Sequence, residues 1–194
     1  MWLRIVKQFS SELGKDGWSY GYWEPTEGDT PKTYDQEKDF LLLKSFGDDA
    51  RNGLGQREEF VTDKLWLFED GRYYTSISAE GGHPNSAMKL GRYEPAEQWA
   101  VRRRVSSVAG PATISGDVGK VMPWGKNWTG HCLARIVVDG KTVYTEKMDE
   151  EGHQYSVDIS LHVGSKVDFL IRPGPGIGVT KFTARIESKF PVGQ

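Results

Sequence analysis

The chain is predicted to be all-β: a two-sheet antiparallel β-sandwich of jelly-roll-like form. Three observations predict it. Apolar and polar residues alternate with period two, most clearly from Tyr155 to Val163. Asp-Gly pairs at 139–140 and 70–71 stand between β-prone runs, the short-range signature of hairpins. The chain of 194 residues holds 23 glycines and 9 prolines against 37% apolar content, so it turns often.

Taken in order, residues 2–9 read as the first strand. The stretch DGWSYGYWEP, residues 16–25, then packs two tryptophans and two tyrosines into ten positions. Trp18, Tyr20 and Tyr22 share one parity and Trp23 has the other. Trp18 and Tyr20 are expected in the core, where large aromatics bury most area. Trp23, beside the proline-containing segment 24–39, is expected to be exposed. Residues 40–46 read as a strand and the polar, glycine-containing insert 47–63 as a loop. A hairpin follows, from Leu65–Phe68 through Asp70-Gly71 to Arg72–Ser78. Pro95 stands where a helix could start, but Val101, Arg103 and Val105 alternate, so a strand is read from about Trp99. Further strands are 111–118 and the hairpin Ala134–Val138, Asp139-Gly140, Lys141–Thr145. From Tyr155 to Val163 the odd positions are apolar and the even ones polar, a strand with one wet face that Gly164 ends. Val167–Ile171 is the next strand, RPGPGIG at 172–178 admits no regular structure, and Phe182–Ile186 resumes the alternation. The total is roughly nine or ten short strands at sandwich spacing.

Composition narrows the function. With 25 basic and 27 acidic residues there is no basic excess to hold a nucleic-acid backbone. No apolar run approaches the roughly 20 residues that span a bilayer. Cys132 is the only cysteine, which rules out an intrachain disulfide and a cysteine-based zinc site. The N-terminus carries no charged segment followed by an apolar one. A single domain over 1–194 is expected, and three readings of that terminus stand open: a protein that is not exported, one whose signal was trimmed, and a module tethered within a longer chain, the last being preferred.

The most telling candidate site lies at 122–130, MPWGKNWTG. Pro123, Gly125 and Gly130 exclude regular structure there, so Trp124 and Trp128 are expected on a loop, with Lys126 and Asn127 between them. A flat apolar face beside hydrogen-bonding side chains suits sugar recognition, because a pyranose offers a C–H face to an indole and hydroxyls to an amide and an ammonium. The other reading, a loop tucked onto the sandwich by its tryptophans, stays open. His83 sits in the turn GGHPN and is the histidine with a possible polar role. In Arg102-Arg103-Arg104, Arg102 and Arg104 point one way, either paired on a wet face or lining a groove for carboxylates or sulfates. No nucleophile elbow, HExxH or phosphate-loop pattern is present. Asp48, Asp49 and Asp16 are the candidates for a structural calcium, and no other cofactor is expected.

Several segments, in order, resemble a known group of modules. They are Gly17-Trp18-Ser19-Tyr20-Gly21; His83-Pro84; Ala100-Val101-Arg102-Arg103 leading to Ala109-Gly110; Thr113-Ile114-Ser115-Gly116; Val137-Val138-Asp139-Gly140; Tyr155-Ser156-Val157; and Gly164 through Val167-Asp168-Phe169. Together they look like the bacterial β-sandwich modules of exported multidomain proteins, akin to galactose-binding-like carbohydrate-binding modules. Arg104 stands where that pattern has an aromatic and Ser107 where it has a proline. The resemblance implies a non-catalytic polysaccharide binder from an exported protein, extracellular or at the cell surface, and the loop reading puts Trp124 and Trp128 forward as its stacking faces. Lys126, Asn127, His83, Arg102, Arg104 and Trp23 would then be the partners. Two alternatives stand beside it. One is a jelly-roll polysaccharide lyase or hydrolase using Tyr73, Tyr74, His83 and Arg102; the other is a structural or adhesive domain with no sugar site.

Overall fold

A computed structural model describes residues 2–5, 9–26, 33–47, 64–68, 71–89, 93–120, 132–149, 151–174 and 180–191. These residues form two antiparallel sheets, as the alternation predicts. Six strands make one sheet, in the order β11 (Lys141–Met148), β10 (Cys132–Val138), β13 (Lys166–Arg172), β8 (Trp99–Val105), β2 (Trp18–Trp23) and β3 (Leu41–Leu42). The other sheet has nine. Along it run β1 (Trp2–Ile5), β15 (Arg185–Pro191), β9 (Gly110–Lys120), β14 (Thr180–Phe182), β7 (Gly81–His83), β6 (Ser76–Ile77), β5 (Leu65–Leu67) and β4 (Ser45–Gly47). The ninth, β12 (His153–Leu161), pairs with the free side of β9.

The fifteen strands among the described residues exceed the expected nine or ten: the 40–46 and 182–186 readings each split in two, and β7 forms where a turn was read. The 40–46 segment divides at buried Leu43, so that β3 joins one sheet and β4 the other. The 65–78 hairpin forms, but its return strand begins at Ser76 rather than Arg72, with Trp66 opposite Ile77. The 134–145 hairpin forms as read, and Asp139 and Gly140 take φ of 46° and 78°, the left-handed pair that a two-residue turn needs. The insert 48–63 lies outside the described residues.

The core lies between the sheets. Tyr20 of β2 stacks on Trp66 of β5 with ring centres 5.5 Å apart, Phe169 of β13 meets Phe182 of β14 at 5.7 Å, and Tyr144 of β11 stacks on Tyr155 of β12 at 4.9 Å. Trp18 and Tyr20 are buried there, as their parity predicts. Tyr155 also donates its hydroxyl to the Thr183 carbonyl at 2.7 Å across β9. That carbonyl lies where a side chain on Gly116 would begin, so position 116 admits only glycine without a shift of backbone.

The six-stranded sheet buries its second face as well. Trp23, Trp99, Val101, Val137 and Leu170 form a separate apolar cluster on the side away from the nine-stranded sheet, covered by Tyr34 and packed against Phe40. Trp23 is therefore not exposed: it is 2% accessible, with its ring 4.9 Å from Trp99 and 5.1 Å from Tyr34. Its odd parity was read correctly, but the face it occupies is roofed by residues 34–40 rather than by water.

Arg102 and Arg104 do point one way, and that way is inward. They lie across from Tyr20 and Trp18 in the β2–β8 register. Arg102 spans the core and donates through Nη2 to the carbonyls of Ser78 and Ala79, and Arg104 donates to the Val105 carbonyl. Burial pushes both guanidiniums below their ordinary range. An open groove lined by this pair is thus excluded by the same alternation that aligned them. Arg103 faces the roofed side and pairs with Asp168.

Candidate functional site

The site is built on the outer face of the six-stranded sheet, at the end where β10 begins. Register places Lys147 on β11 opposite Leu133 on β10, and Leu133 opposite Arg172 on β13. The next position of the same row is Trp99 on β8, which faces Trp23 on β2. One row thus crosses five strands, polar and accessible at Lys147 and Arg172, apolar and buried at Trp99 and Trp23.

Above the accessible half lies a cleft of about 470 Å³. Glu97, Lys147, Arg172 and Met88 give its wall charge and an apolar side, and Cys132 with Leu133 forms the floor. Met88 is one of the few large apolar side chains left in water, at 57% exposure. Glu97 is the organising carboxylate: its Oε1 accepts from Trp99 Nε1 at 2.8 Å and from Arg172 Nε at 3.1 Å. Arg135, one turn of the alternation beyond Leu133, lays its guanidinium 5.4 Å from the Trp99 ring, and Arg172 lies 5.6 Å from the same ring. Burial first, and then the Arg172 charge, push Arg135 below its ordinary range.

The rim that carries Ser86 and Met88 is held by Asn85. Its side-chain amide donates to the carbonyls of Glu94 at 3.0 Å and Ala96 at 2.7 Å, and its Oδ1 accepts from the Tyr74 amide at 2.9 Å. Its backbone pairs with Gln98 in both directions at 3.0 Å. A buried amide with every strong partner made specifies one loop path.

A second cleft, of about 550 Å³, lies over the nine-stranded sheet, along Ser115, Asp117, Gln154, Ser156, Thr183 and Arg185. It carries hydroxyls and an amide, with Asp117 near Lys181 at 3.6 Å.

The residues singled out in the sequence divide accordingly. Trp124, Lys126, Asn127 and Trp128 lie outside the described residues, and so do Asp48 and Asp49. His83 is in neither cleft. It is 7% exposed, its ring centre is 3.8 Å from that of Tyr74, and Nδ1 lies 2.7 Å from the Pro84 carbonyl oxygen. The turn that promised exposure is instead strand β7, which pairs with β6 and β14. Asp16 is exposed, and among the described residues no three His, Cys, Asp or Glu side chains gather as a metal set. Sequence reading missed Glu97, Arg135, Lys147 and Arg172. The signal was available in Arg135, a lone charge inside LARIVV at outward parity, and in Arg172, which closes VDFLIR with the same parity.

No protein-family model and no curated protein matches the chain. Some solved structures are similar to it. The chain is similar to a family 35 carbohydrate-binding module. That module, from an environmental isolate, is 17% identical over 64% of this chain and 93% of its own, with a TM-score of 0.36. The native family 35 module from Clostridium thermocellum is 12% identical over 46% of this chain and 69% of its own, with a TM-score of 0.32. A β-glucosidase from Kluyveromyces marxianus in complex with glucose is 6% identical over 96% of this chain and 18% of its own, with a TM-score of 0.36. At these identities and TM-scores no residue role passes from those proteins to this chain.

Proposed function

We propose that the protein is a non-catalytic polysaccharide-binding module whose ligand lies in the cleft between Met88, Leu133, Lys147 and Arg172. One observation carries the reading. Cys132 and Leu133, the first residues of β10, line the cleft and follow directly in sequence on the stretch that holds Trp124 and Trp128, and the cleft sets exposed charged donors beside the apolar Met88. Sugar binding needs both: donors for hydroxyls and flat apolar area for a C–H face. An open cleft of this kind stacks one or two rings and leaves the rest of the chain wet, so affinity is modest and gains from tethering to further domains. An extracellular or cell-surface setting accords with such a ligand.

The lyase or hydrolase reading has less support. Its candidate residues Tyr73, Tyr74, His83 and Arg102 line neither of the two clefts described above. Arg102 commits Nη2 to carbonyls inside the sandwich, and Tyr73 packs edge-on against Phe68 at 4.8 Å.

The test is a glycan array followed by calorimetric titration of the best ligand with wild type, Trp124→Ala and Trp128→Ala. Loss of binding at unchanged melting temperature supports the reading. Loss of binding together with stability returns the tryptophans to the core and favours the structural or adhesive alternative. Product formation from any polysaccharide overturns the non-catalytic part.

A further inference from the structure

We propose that the outer edge of β12 is a pairing surface for a second copy of this chain, which joins two nine-stranded sheets antiparallel about a two-fold axis at Val157. The inference stands apart from the saccharide reading, because the cleft at Met88 and Leu133 lies on the other sheet.

An edge strand presents a row of unpaired N–H and C=O groups, which proteins blunt by shortness, a bulge or charge. Among the described residues the two sheets end at five strands, and four of them are blunted. β3 has two residues and β4 three. β1 has four, and its register slips between Trp2 and Arg4. β11 is longer, but Val143 is an extra residue against the Ile136–Val137 step, and Lys141, Glu146 and Lys147 charge the strand. β12 lacks these devices. It runs nine residues without proline or lysine, and its register is unbroken from His153 opposite Val118 to Leu161 opposite Gly110. Among the described residues only β9 pairs with it. Its one carboxylate, Asp158, accepts from the Thr113 hydroxyl of β9 at 2.6 Å, and so leans away from the outer edge.

The core is incompletely covered along the same edge. Val157 and Ile159 point inward by parity yet are only half-buried, whereas Ile114 and Ala112, opposite them on β9, are 0% and 1% exposed. Val143 and Tyr144, at the matching edge of the other sheet, are half-buried too. A strand added beside β12 removes that apolar area from water.

β12 is also complementary to itself. A two-fold axis at Val157 pairs all nine residues and keeps inward side chains on one face. Tyr155 then meets the second copy's Ile159, Gln154 its Ser160, and Asp158 its Ser156. An axis at Asp158 would set two carboxylates together, and an axis at Ser156 would shorten the ladder. Pairing over the whole strand supplies about eight to ten hydrogen bonds, the number in a typical interface. A formal charge of −2 gives little repulsion between copies. The contact is one strand wide, so the dimer is weak, with a Kd of about 10–100 μM.

The experiment is sedimentation equilibrium of the full chain from about 1 μM to about 1 mM, where a shift from monomer to dimer is expected. Ser156→Asp sets like charges opposite Asp158 twice across the axis and should weaken pairing about tenfold; Ser156→Lys sets opposite charges there and should tighten it about threefold. Ser156 is exposed, so both variants should melt with the wild type. If the aspartate variant melts lower, the lysine variant carries the test. Amide exchange at alternate residues of β12 should slow as the protein is concentrated. A chain that stays monomeric to about 1 mM overturns the pairing. So does a dimer indifferent to both Ser156 variants, or an assembly that grows past two copies.

Discussion

Arg103 on β8 and Asp168 on β13 occupy cross-strand positions and meet side-on, Nε to Oδ1 and Nη2 to Oδ2, both at 2.7 Å. Tyr34 donates its hydroxyl to the same Oδ2 at 2.7 Å, Arg103 Nη2 also donates to the Gln36 carbonyl at 2.6 Å, and the Phe40 ring lies 4.0 Å from the guanidinium. The pair thus fastens segment 34–40 over the outer apolar face. Burial, the largest single influence on Arg103, opposes its charge, but the Asp168 bond, the Asp168 charge and Tyr34 together outweigh it and raise Arg103 above its ordinary range; burial and the Asp168 charge together raise the Tyr34 hydroxyl.

Replacing Asp168 by Ala strands that guanidinium under the roof. The expected loss is about 3–5 kcal/mol of stability, because an uncompensated buried charge is left behind. The double replacement Arg103→Met with Asp168→Leu is expected to lose much less. Urea denaturation of the three variants checks both; equal losses for single and double would show that packing, not the charge, dominates.

Trp23→Ala tests the roofed face itself. Burial between Trp99 and Tyr34 predicts a loss of about 3–5 kcal/mol in denaturant unfolding. Acrylamide should quench Trp23 fluorescence poorly, measured as the difference between wild type and Trp23→Phe. Efficient quenching would return this ring to the surface.

Gly116 and Tyr155 act through one carbonyl. Tyr155→Phe leaves the Thr183 oxygen without its hydroxyl donor and is expected to cost about 1–3 kcal/mol. Gly116→Ala drives a methyl group into that oxygen and should destabilise more. Thermal melts of both, and of the double variant, measure the coupling; independent effects would deny the shared carbonyl.

Asn85→Ala releases the cleft rim. It removes the donor to Glu94 and Ala96 and the acceptor of the Tyr74 amide, and about 1–3 kcal/mol is the expected loss. Amide exchange should quicken at Tyr74, whose N–H loses its partner. Unchanged exchange there would remove Asn85 from this role.

His153 and Asp149 supply a pH-dependent contact on the surface at 3.0 Å. The side-chain bond to Asp149 raises the His153 pKa, and the same bond lowers the Asp149 pKa. The histidine contribution is complete below its unfolded pKa, near 6.5, and is lost as pH rises through the raised folded value. The carboxylate contribution is complete above its unfolded pKa, near 3.8, and is lost as pH falls through the lowered folded value. The pair therefore contributes most between those limits. An NMR titration of the His153 ring should show its pKa falling toward the ordinary value in Asp149→Asn; no change would dismiss the contact.

Local pattern alone determined the sandwich. Alternation placed Trp18, Tyr20, Phe169 and Ile171 on inward faces, and the Asp139-Gly140 pair placed its turn, because side-chain parity and left-handed φ are properties of a few adjacent residues. What covers an outward face is not a local property. Trp23 and Arg103 are buried only because residues 34–40 lie on them, and Arg102 is buried because its face is the one shared with the second sheet. The cleft draws Met88, Glu97, Leu133, Lys147 and Arg172 from five separate stretches, joined by strand register across the sheet. Pairing of distant strands decides that register and which charges go without a partner, so only the tertiary structure brings the site together.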